Sequence, residues 1–305
     1  MSRVESQKGY GEEEYCEVVD EMNQEYLAIL ASSQFPLKQE KQTIHLGVLK
    51  GQVANRILSV GDSGRALRIA RLLDEPQQNL VVKTDKDFTT YTGTFRGIPV
   101  SIIATGMGVC RMDLVVKEAT YFAEGETAIV RLGTSGILKD EIAPGSVIIS
   151  KSSRMIQQNY DYEPSSSEKP YFISRPKHSD LEMYEALKNR LHAVLGPESV
   201  AEGVNITGDS FYNSQGRIDQ RFEDHNEDLL TQLKQEEPDA ASLEMETFKL
   251  LDLASRSKGK IKACACVIGC INRFTEKITT DSVIKDMEYT AGIAVLQALA
   301  QVNLA

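Results

Sequence analysis

The chain has 305 residues, 41% of them hydrophobic, and a formal net charge of -10. That supplies apolar material for one large α/β domain or two small ones, and its acidity excludes nucleic-acid binding through a broad basic surface. No apolar run approaches the roughly twenty residues that span a bilayer and no apolar signal segment opens the sequence, so the expected place is the cytoplasm, without membrane or nucleic-acid partners.

Residues 1–40 stand apart. They carry nine acids and three bases, net -6. The first dozen residues have the composition of a disordered segment. Beyond them Tyr15, Val18, Val19, Met22, Tyr26, Ile29 and Leu30 recur at helical spacing, which predicts one amphipathic helix ending before Pro36. The main domain is expected over 41–305. Ile57–Val60 reads as a strand running into Gly61-Asp62-Ser63-Gly64-Arg65 and a helix over Ala66–Leu73. Phe88–Phe95 and Ile98–Ala104 read as strands around a Gly97 turn, followed by Thr105-Gly106-Met107-Gly108 and a helix near Arg111–Ala123.

Next comes Ala128-Ile129-Val130-Arg131-Leu132-Gly133-Thr134-Ser135-Gly136. An apolar, β-branched run predicts a buried strand, and the glycines predict a sharp turn after it. Two hydroxyls and a guanidinium then meet in one small volume, a pattern suited to an oxyanion. The alternative is an ordinary strand and loop with Arg131 reaching solvent.

Gly145–Ser150 predicts another strand, and 151–179, rich in Ser, Pro and charge, predicts a long mobile loop. A helix near Asp180–Leu195, a strand near Val200–Thr207, a charged helix and loop over 222–239, a helix over Ser242–Arg256 and a strand over Ile261–Cys270 follow. Met287, Ala291, Ala294, Val295, Ala298 and Val302 form one face of a last helix. Cys264, Cys266 and Cys270 share a strand face. A metal site there is conceivable, but small reduced core residues are the reading adopted. The alternation of strands and helices gives the fold class: α/β, one three-layer αβα domain around a central mixed β-sheet.

Two further groups carry chemistry. On the 242–256 helix Glu246 shares a stripe with Leu243, Leu250 and Leu253. A carboxylate there needs a partner, either a sugar diol or a neighbouring arginine. In Phe211-Tyr212-Asn213-Ser214-Gln215-Gly216-Arg217 an amide and a guanidinium follow an aromatic pair. Gln215 and Arg217 can match the carbonyl, N–H, carbonyl edge of uracil, with Phe211 against the ring or sugar. A polar surface turn would look the same.

From about Ile44 to Leu299 the sequence resembles the nucleoside phosphorylase-I superfamily, and within it the uridine-cleaving branch. The resemblance is carried by His45-Leu-Gly, Gly61-Asp62-x-x-Arg65, Phe88-Thr-Thr, Thr105-Gly-Met-Gly, Arg131-x-Gly-Thr134-Ser-Gly, Phe211-Tyr-x-x-Gln215-x-Arg217, Glu244-Met245-Glu246 and Asn272-Arg273, in that order. It implies phosphorolysis of uridine to uracil and ribose 1-phosphate, with inorganic phosphate as co-substrate and no organic cofactor. By the same resemblance Gly61, Arg65, Arg131 and Thr134 hold phosphate. Met245 and Glu246 hold the ribose. Phe211, Gln215, Arg217 and Arg273 meet the base. His45 and Lys86 are delivered by an adjacent subunit to the sugar and the phosphate, so a homo-oligomer, at least a dimer with shared sites, is implied. Arg131, Thr134, Gln215, Arg217 and Glu246 form the catalytic set. Where purine-preferring relatives carry an acid, this chain has Val267-Ile-Gly-Cys270-Ile-Asn-Arg.

Two departures matter. Lys86 stands where bacterial members carry arginine, keeping the charge without the bidentate fork. Arg111 aligns with the hydroxyl ligand of their interface cation, which suggests an Asp87–Arg111 pair between subunits and no metal. The rival expectations are a phosphorylase or nucleosidase for other nucleosides, and a catalytically inactive nucleoside-binding homologue.

Overall fold

The computed structural model describes residues 33–38 and 41–305. The helix expected around Tyr15–Leu30 lies outside the described residues. Phe35 stacks on Tyr121 with ring centroids 4.2 Å apart, and Leu37 bridges Thr43, so contacts to the body begin before residue 41.

In chain order the elements are β1 Arg56–Val60, α1 Ser63–Ala70, β2 Leu80–Lys83, β3 Thr89–Phe95, β4 Ile98–Ala104, α2 Val109–Thr120, β5 Thr127–Ile137 and β6 Val147–Gln158. Then come β7 Tyr171–Ile173, β8 Lys177–His178, α3 Leu181–Leu195, β9 Val200–Gly208, α4 Leu229–Glu236, β10 Ala240–Glu244, α5 Thr247–Arg256, β11 Ile261–Asn272 and α6 Asp281–Gln301. Side-chain caps mark several helix starts: Asp62 accepts from the Arg65 N–H on α1, Asp180 from the Met183 N–H on α3, and Thr280 from the Val283 N–H on α6.

The strands form one mixed sheet in the order β10-β9-β6-β11-β5-β1-β4-β3-β2. β1 pairs in parallel with both β4 and β5, and β5 in parallel with β11. β11 meets β6 antiparallel. β10 returns to pair antiparallel with β5 at Ser242↔Ile137 and Leu243↔Gly136, so β5, β11, β6, β9 and β10 close on themselves. Alternation along the strands feeds two helical layers. Ala128, Val130 and Leu132 of β5 pack with Ile69 of α1, Leu187 of α3 and Ala291 of α6. Ile129 packs the other way, with Met112 and Val115 of α2 and Leu250 of α5. Cys264 and Cys266 belong to the first of these cores. This is the three-layer α/β arrangement with a mixed central sheet.

Three local expectations are corrected. Gly133-Thr134-Ser135-Gly136 is not a turn: β5 runs straight through it, held by β11 on one side and β10 on the other. Its glycines serve close approach, since a Cβ on Gly136 would meet Arg273 Cγ at 3.0 Å and one on Gly133 would meet Val267 Cγ1 at 3.3 Å. The 151–179 region is not one long loop, because β6 continues to Gln158 and β7 and β8 pair back onto it. Serine composition hid that strand. Ser150, Ser152 and Ser153 are buried inside the closed part of the sheet, where Ser153 Oγ donates to Asn205 Oδ1 at 2.7 Å. Finally, Ser242–Arg256 is not one helix: β10 ends at Glu244 and α5 starts at Thr247, so Glu246 sits at the helix entrance and not on its apolar stripe.

Among the described residues no helix is long and apolar enough to cross a membrane.

Candidate active site

A cavity of about 310 Å3 opens at the ends of β1, β5, β10 and β11, where ligands sit in open α/β sheets. Gly61, Arg65, Arg131, Thr134, Phe211, Gln215, Arg217, Met245 and Glu246 all line it. Elements far apart in the sequence thus bring together nine of the expected residues. Asp62, Met107, Ser135, Glu244 and Cys270 line it as well.

At one end two guanidiniums converge. Arg65, one turn into α1, is buried. Its Nε donates to Glu288 Oε1 at 2.7 Å, its Nη1 to the Leu132 carbonyl at 3.2 Å, and its Nη2 lies 3.5 Å from Asp62 Oδ2. Gly61 is its neighbour on the wall: a Cβ there would stand 3.7 Å from Arg65 Nη1, in ordinary contact. Arg131, on β5, gives Nη2 to Glu246 Oε2, while its Nε is 3.5 Å from Glu244 Oε2. Arg131 Nη1 and Ser135 Oγ are buried without a hydrogen-bond partner. Unpaired buried donors beside a cavity are costly unless a ligand completes them, and an oxyanion would.

The middle of the cavity belongs to Glu244-Met245-Glu246. Glu244 is structural: its carboxylate accepts from the Glu246 and Thr247 N–H groups and the Thr207 hydroxyl, capping α5. Glu246 accepts from Arg131 through one oxygen and from the Gly108 N–H, at 2.5 Å, through the other. Gly108 caps α2 with φ 97, so that helix start also stabilises the carboxylate. Burial pushes the Glu246 carboxyl up to about 7, against the pull of Arg131 and with a further push from Glu244. Of the two partners expected for Glu246, the arginine is the one in place. Met107, on the loop between β4 and α2, lines the cavity and is well exposed.

At the far end the chain makes a 3-10 turn over Asn213–Gln215 and reverses at Gly216, φ 60. Gln215 is buried on the cavity wall. Arg217 stacks on Phe211, 4.3 Å from the ring centroid, and donates through Nε to the Phe211 carbonyl. This loop is not a floppy surface turn. Asn226, itself buried, donates to the carbonyls of Asn213 and Arg217, and Ser214 Oγ bonds Asp209.

Three expected residues lie outside the cavity wall. Arg273 sits behind it and donates through Nη2 to the Gln215 carbonyl at 3.0 Å. Burial, and then the charge of Arg217, hold its guanidinium below the ordinary value. His45 Nδ1 pairs with Glu118 Oε1 of α2 at 2.5 Å. Lys86 lies on the turn before β3, 3.5 Å from Asp85. Arg111 is engaged inside its own chain: it donates to the carbonyls of Thr105, Lys86 and Asp87 and covers Phe88 at 3.9 Å. The expected Asp87–Arg111 pair therefore begins as a backbone contact within one chain.

Sequence reasoning missed Glu288, which is buried and binds both Arg65 and Arg68. An acid at the i position of the Ala291/Val295 face was the available signal. It also missed Cys270 as a cavity residue. Burial pushes the Cys270 thiol up, while the Ser135 N–H and the charge of Arg65 pull it down.

The fold, a partly closed mixed sheet between helical layers with its cavity at the strand ends, defines an α/β enzyme acting on small molecules. Residues 55–302 match the phosphorylase superfamily, and the chain belongs to that family. A solved uridine phosphorylase from the oomycete Phytophthora capsici is 39% identical, with a TM-score of 0.86, over 89% of this chain and 98% of that one. The uridine phosphorylase of Thermococcus kodakarensis is 26% identical over 252 residues, 82% of this chain and 83% of the relative. That of Haemophilus influenzae is 28% identical over 258 residues, 83% of this chain and 96% of the relative.

Proposed function

We propose that this chain is a uridine phosphorylase: phosphate attacks the anomeric carbon of uridine, and uracil and ribose 1-phosphate leave. The observation that carries this reading is the meeting, in one cavity, of an oxyanion end (Arg65, Arg131, Thr134, Ser135) and an amide-and-guanidinium end (Gln215, Arg217), with Glu246 between them. The reading calls on no covalent nucleophile of the protein; the work is positional and electrostatic.

Gly61, Arg65, Arg131 and Thr134 bind the phosphate beneath the sugar. Bound phosphate draws Arg131 off Glu246, and the freed carboxylate accepts from the ribose hydroxyls beside Met245. Glu246 then favours the positive charge that grows on the ribosyl group, a feature shared with glycosidase transition states. Gln215 takes the uracil edge and Arg217 turns from Phe211 to meet the charge developing on the departing base. Arg273 acts by holding the Gln215 backbone. His45 and Lys86 serve the site of an adjacent subunit in a homodimer or larger ring. Inorganic phosphate is the co-substrate, no organic cofactor takes part, no metal is assigned, and the setting is the cytoplasm.

The test is release of uracil from uridine with and without phosphate, alongside inosine. Phosphate-dependent cleavage of uridine is expected. Equal turnover without phosphate would mean a nucleosidase, faster cleavage of inosine would overturn the base assignment, and binding without turnover would mean an inactive homologue.

A further inference from the structure

Glu288 is not itself part of the cavity wall, yet it holds a residue that is. It lies on α6 with 3% of its surface exposed. One oxygen takes Arg65 Nε at 2.7 Å and the other takes Arg68 Nε at 3.1 Å and Arg68 Nη2. The geometry is selective. Glu288, which is outside the cavity wall, occupies Arg65 Nε. Leu132 O takes one Nη1 hydrogen, and the remaining Nη hydrogens face Gly61 and Asp62 on the cavity wall. Five donors in a fixed plane make this orientation consequential.

The short reach from α6 to α1 is built into the packing. Gly292, one turn after Glu288, lies against Ile69 of α1, where a Cβ would meet Ile69 Cγ1 at 3.1 Å. Charge follows the same arrangement. Two guanidiniums and the Glu288 carboxylate carry one net positive charge, which the half-exposed Asp62, 3.5 Å from Arg65 Nη2, balances from the cavity side. Without the carboxylate, two cations would repel at close range with little solvent between them. Arg65 would then have Asp62 as its nearest acid, 3.5 Å away and on the cavity side.

We propose that Glu288 is the positioning residue of the phosphate end: it aims Arg65 into the cavity and couples Arg68 to it as a second cation. This rests on the phosphorolytic reading above. It assigns to a residue of the last helix a share of the affinity for one substrate and not the other.

The experiment uses the full-length protein, Glu288→Gln, Arg68→Gln and the double variant. Phosphate and uridine are each varied at saturation of the other, and thermal unfolding is followed with and without inorganic phosphate. For Glu288→Gln the KM for phosphate should rise at least tenfold while the KM for uridine stays within twofold, and the protective shift in Tm given by phosphate should shrink. Arg68→Gln should raise the phosphate KM by a few-fold. Removing both charges relieves the repulsion, so the double variant should regain thermal stability and keep the raised phosphate KM. That makes it the decisive protein if Glu288→Gln alone does not fold.

A phosphate KM within twofold of wild type in folded Glu288→Gln would overturn the inference, as would an equal rise in both KM values. Recovery of the phosphate KM together with stability in the double variant would reduce Glu288 to a packing role and overturn it too. Wild-type turnover that ignores phosphate would instead bring down the phosphorolytic reading, and this inference with it.

Discussion

Arg131 and Glu246 neutralise each other inside the cavity: Nη2 of the arginine donates to Oε2 of the acid, and both side chains are about 4% exposed. Each ligand of the proposed reaction needs one member of this pair, phosphate the arginine and ribose the carboxylate. Whichever binds first therefore separates the pair on behalf of the other. The coupling is reciprocal and of the usual size for linked sites, about 1–3 kcal/mol. A non-cleavable uridine analogue should tighten phosphate binding at least fivefold in a titration calorimeter, and phosphate should tighten the analogue by the same factor. Independent binding would contradict this.

Glu246→Gln separates fold from chemistry. The amide keeps an acceptor for the Gly108 N–H and loses the charge, so turnover of uridine should fall at least tenfold while circular dichroism stays native. The sign of the pH effect follows from burial. The folded carboxyl is raised from 4.5 to about 7, so the native state holds its proton more tightly than the unfolded chain. This group's contribution to stability is full below about 4.5 and is lost as pH rises through about 7. Unfolding curves across that interval should show the decline in wild type and a flatter profile in Glu246→Gln.

Gln215→Ala and Arg217→Ala should each lower activity on uridine at least tenfold, since an unpaired buried partner typically costs about 1–3 kcal/mol. Their stabilities should differ. Gln215 is 4% exposed and its loss leaves a void in the cavity wall, whereas Arg217 leans on Phe211 from outside. Arg217→Ala should therefore leave Tm nearly unchanged and Gln215→Ala should lower it slightly. Full turnover in both would remove the loop from base recognition.

Glu244→Ala predicts the opposite balance. It strips the acceptor from two N–H groups at the start of α5 and from Thr207. The expected loss is about 2–3 kcal/mol of stability. Activity should fall with it, because Glu246 is placed by the same two residues of chain. Unchanged thermal unfolding would show that water replaces the cap.

Shared sites can be tested by mixing. Lys86→Ala and Arg131→Ala, each expected to be nearly inactive alone, are unfolded and refolded together at equal amounts. Random pairing makes about half the dimers mixed, and roughly one quarter of all sites intact, if Lys86 crosses to its neighbour. Activity should return towards that fraction. No recovery in dimers confirmed as mixed by mass would place Lys86 in its own subunit's site.

Much of this architecture is readable along the chain because its signals are local. The continuous apolar run Ala128-Ile129-Val130 predicts a buried strand, and two helical layers cover it. The ordered motifs bring Arg65, Arg131, Gln215 and Glu246 into one cavity. What stayed hidden depends on distant neighbours. Gly133 and Gly136 look like a turn until β10 and β11 are seen gripping both edges of β5. Polar Lys151-Ser152-Ser153 looks like the start of a loop until the sheet closes around it. Glu246 sits on an apparent helical stripe only because Glu244 reads as helix, when its side chain is in fact the cap. Glu288 finds its partners 223 and 220 positions away, a separation that no periodicity reports.

That separation also has a history in time. A chain emerging from the ribosome presents Arg65 long before Glu288, and every strand of the sheet precedes Glu288. Until α6 lies down across α1, Arg65 lacks the carboxylate that holds its Nε, so on the proposed roles the phosphate end is unfinished although the strands have been made. The last helix is thus a wall of the core as well as, on the proposed roles, the part that completes the phosphate end: its Ala291, Ala294, Val295 and Leu299 are buried together with Val130 and Leu132 of β5, so the grip on phosphate and the core would be lost together.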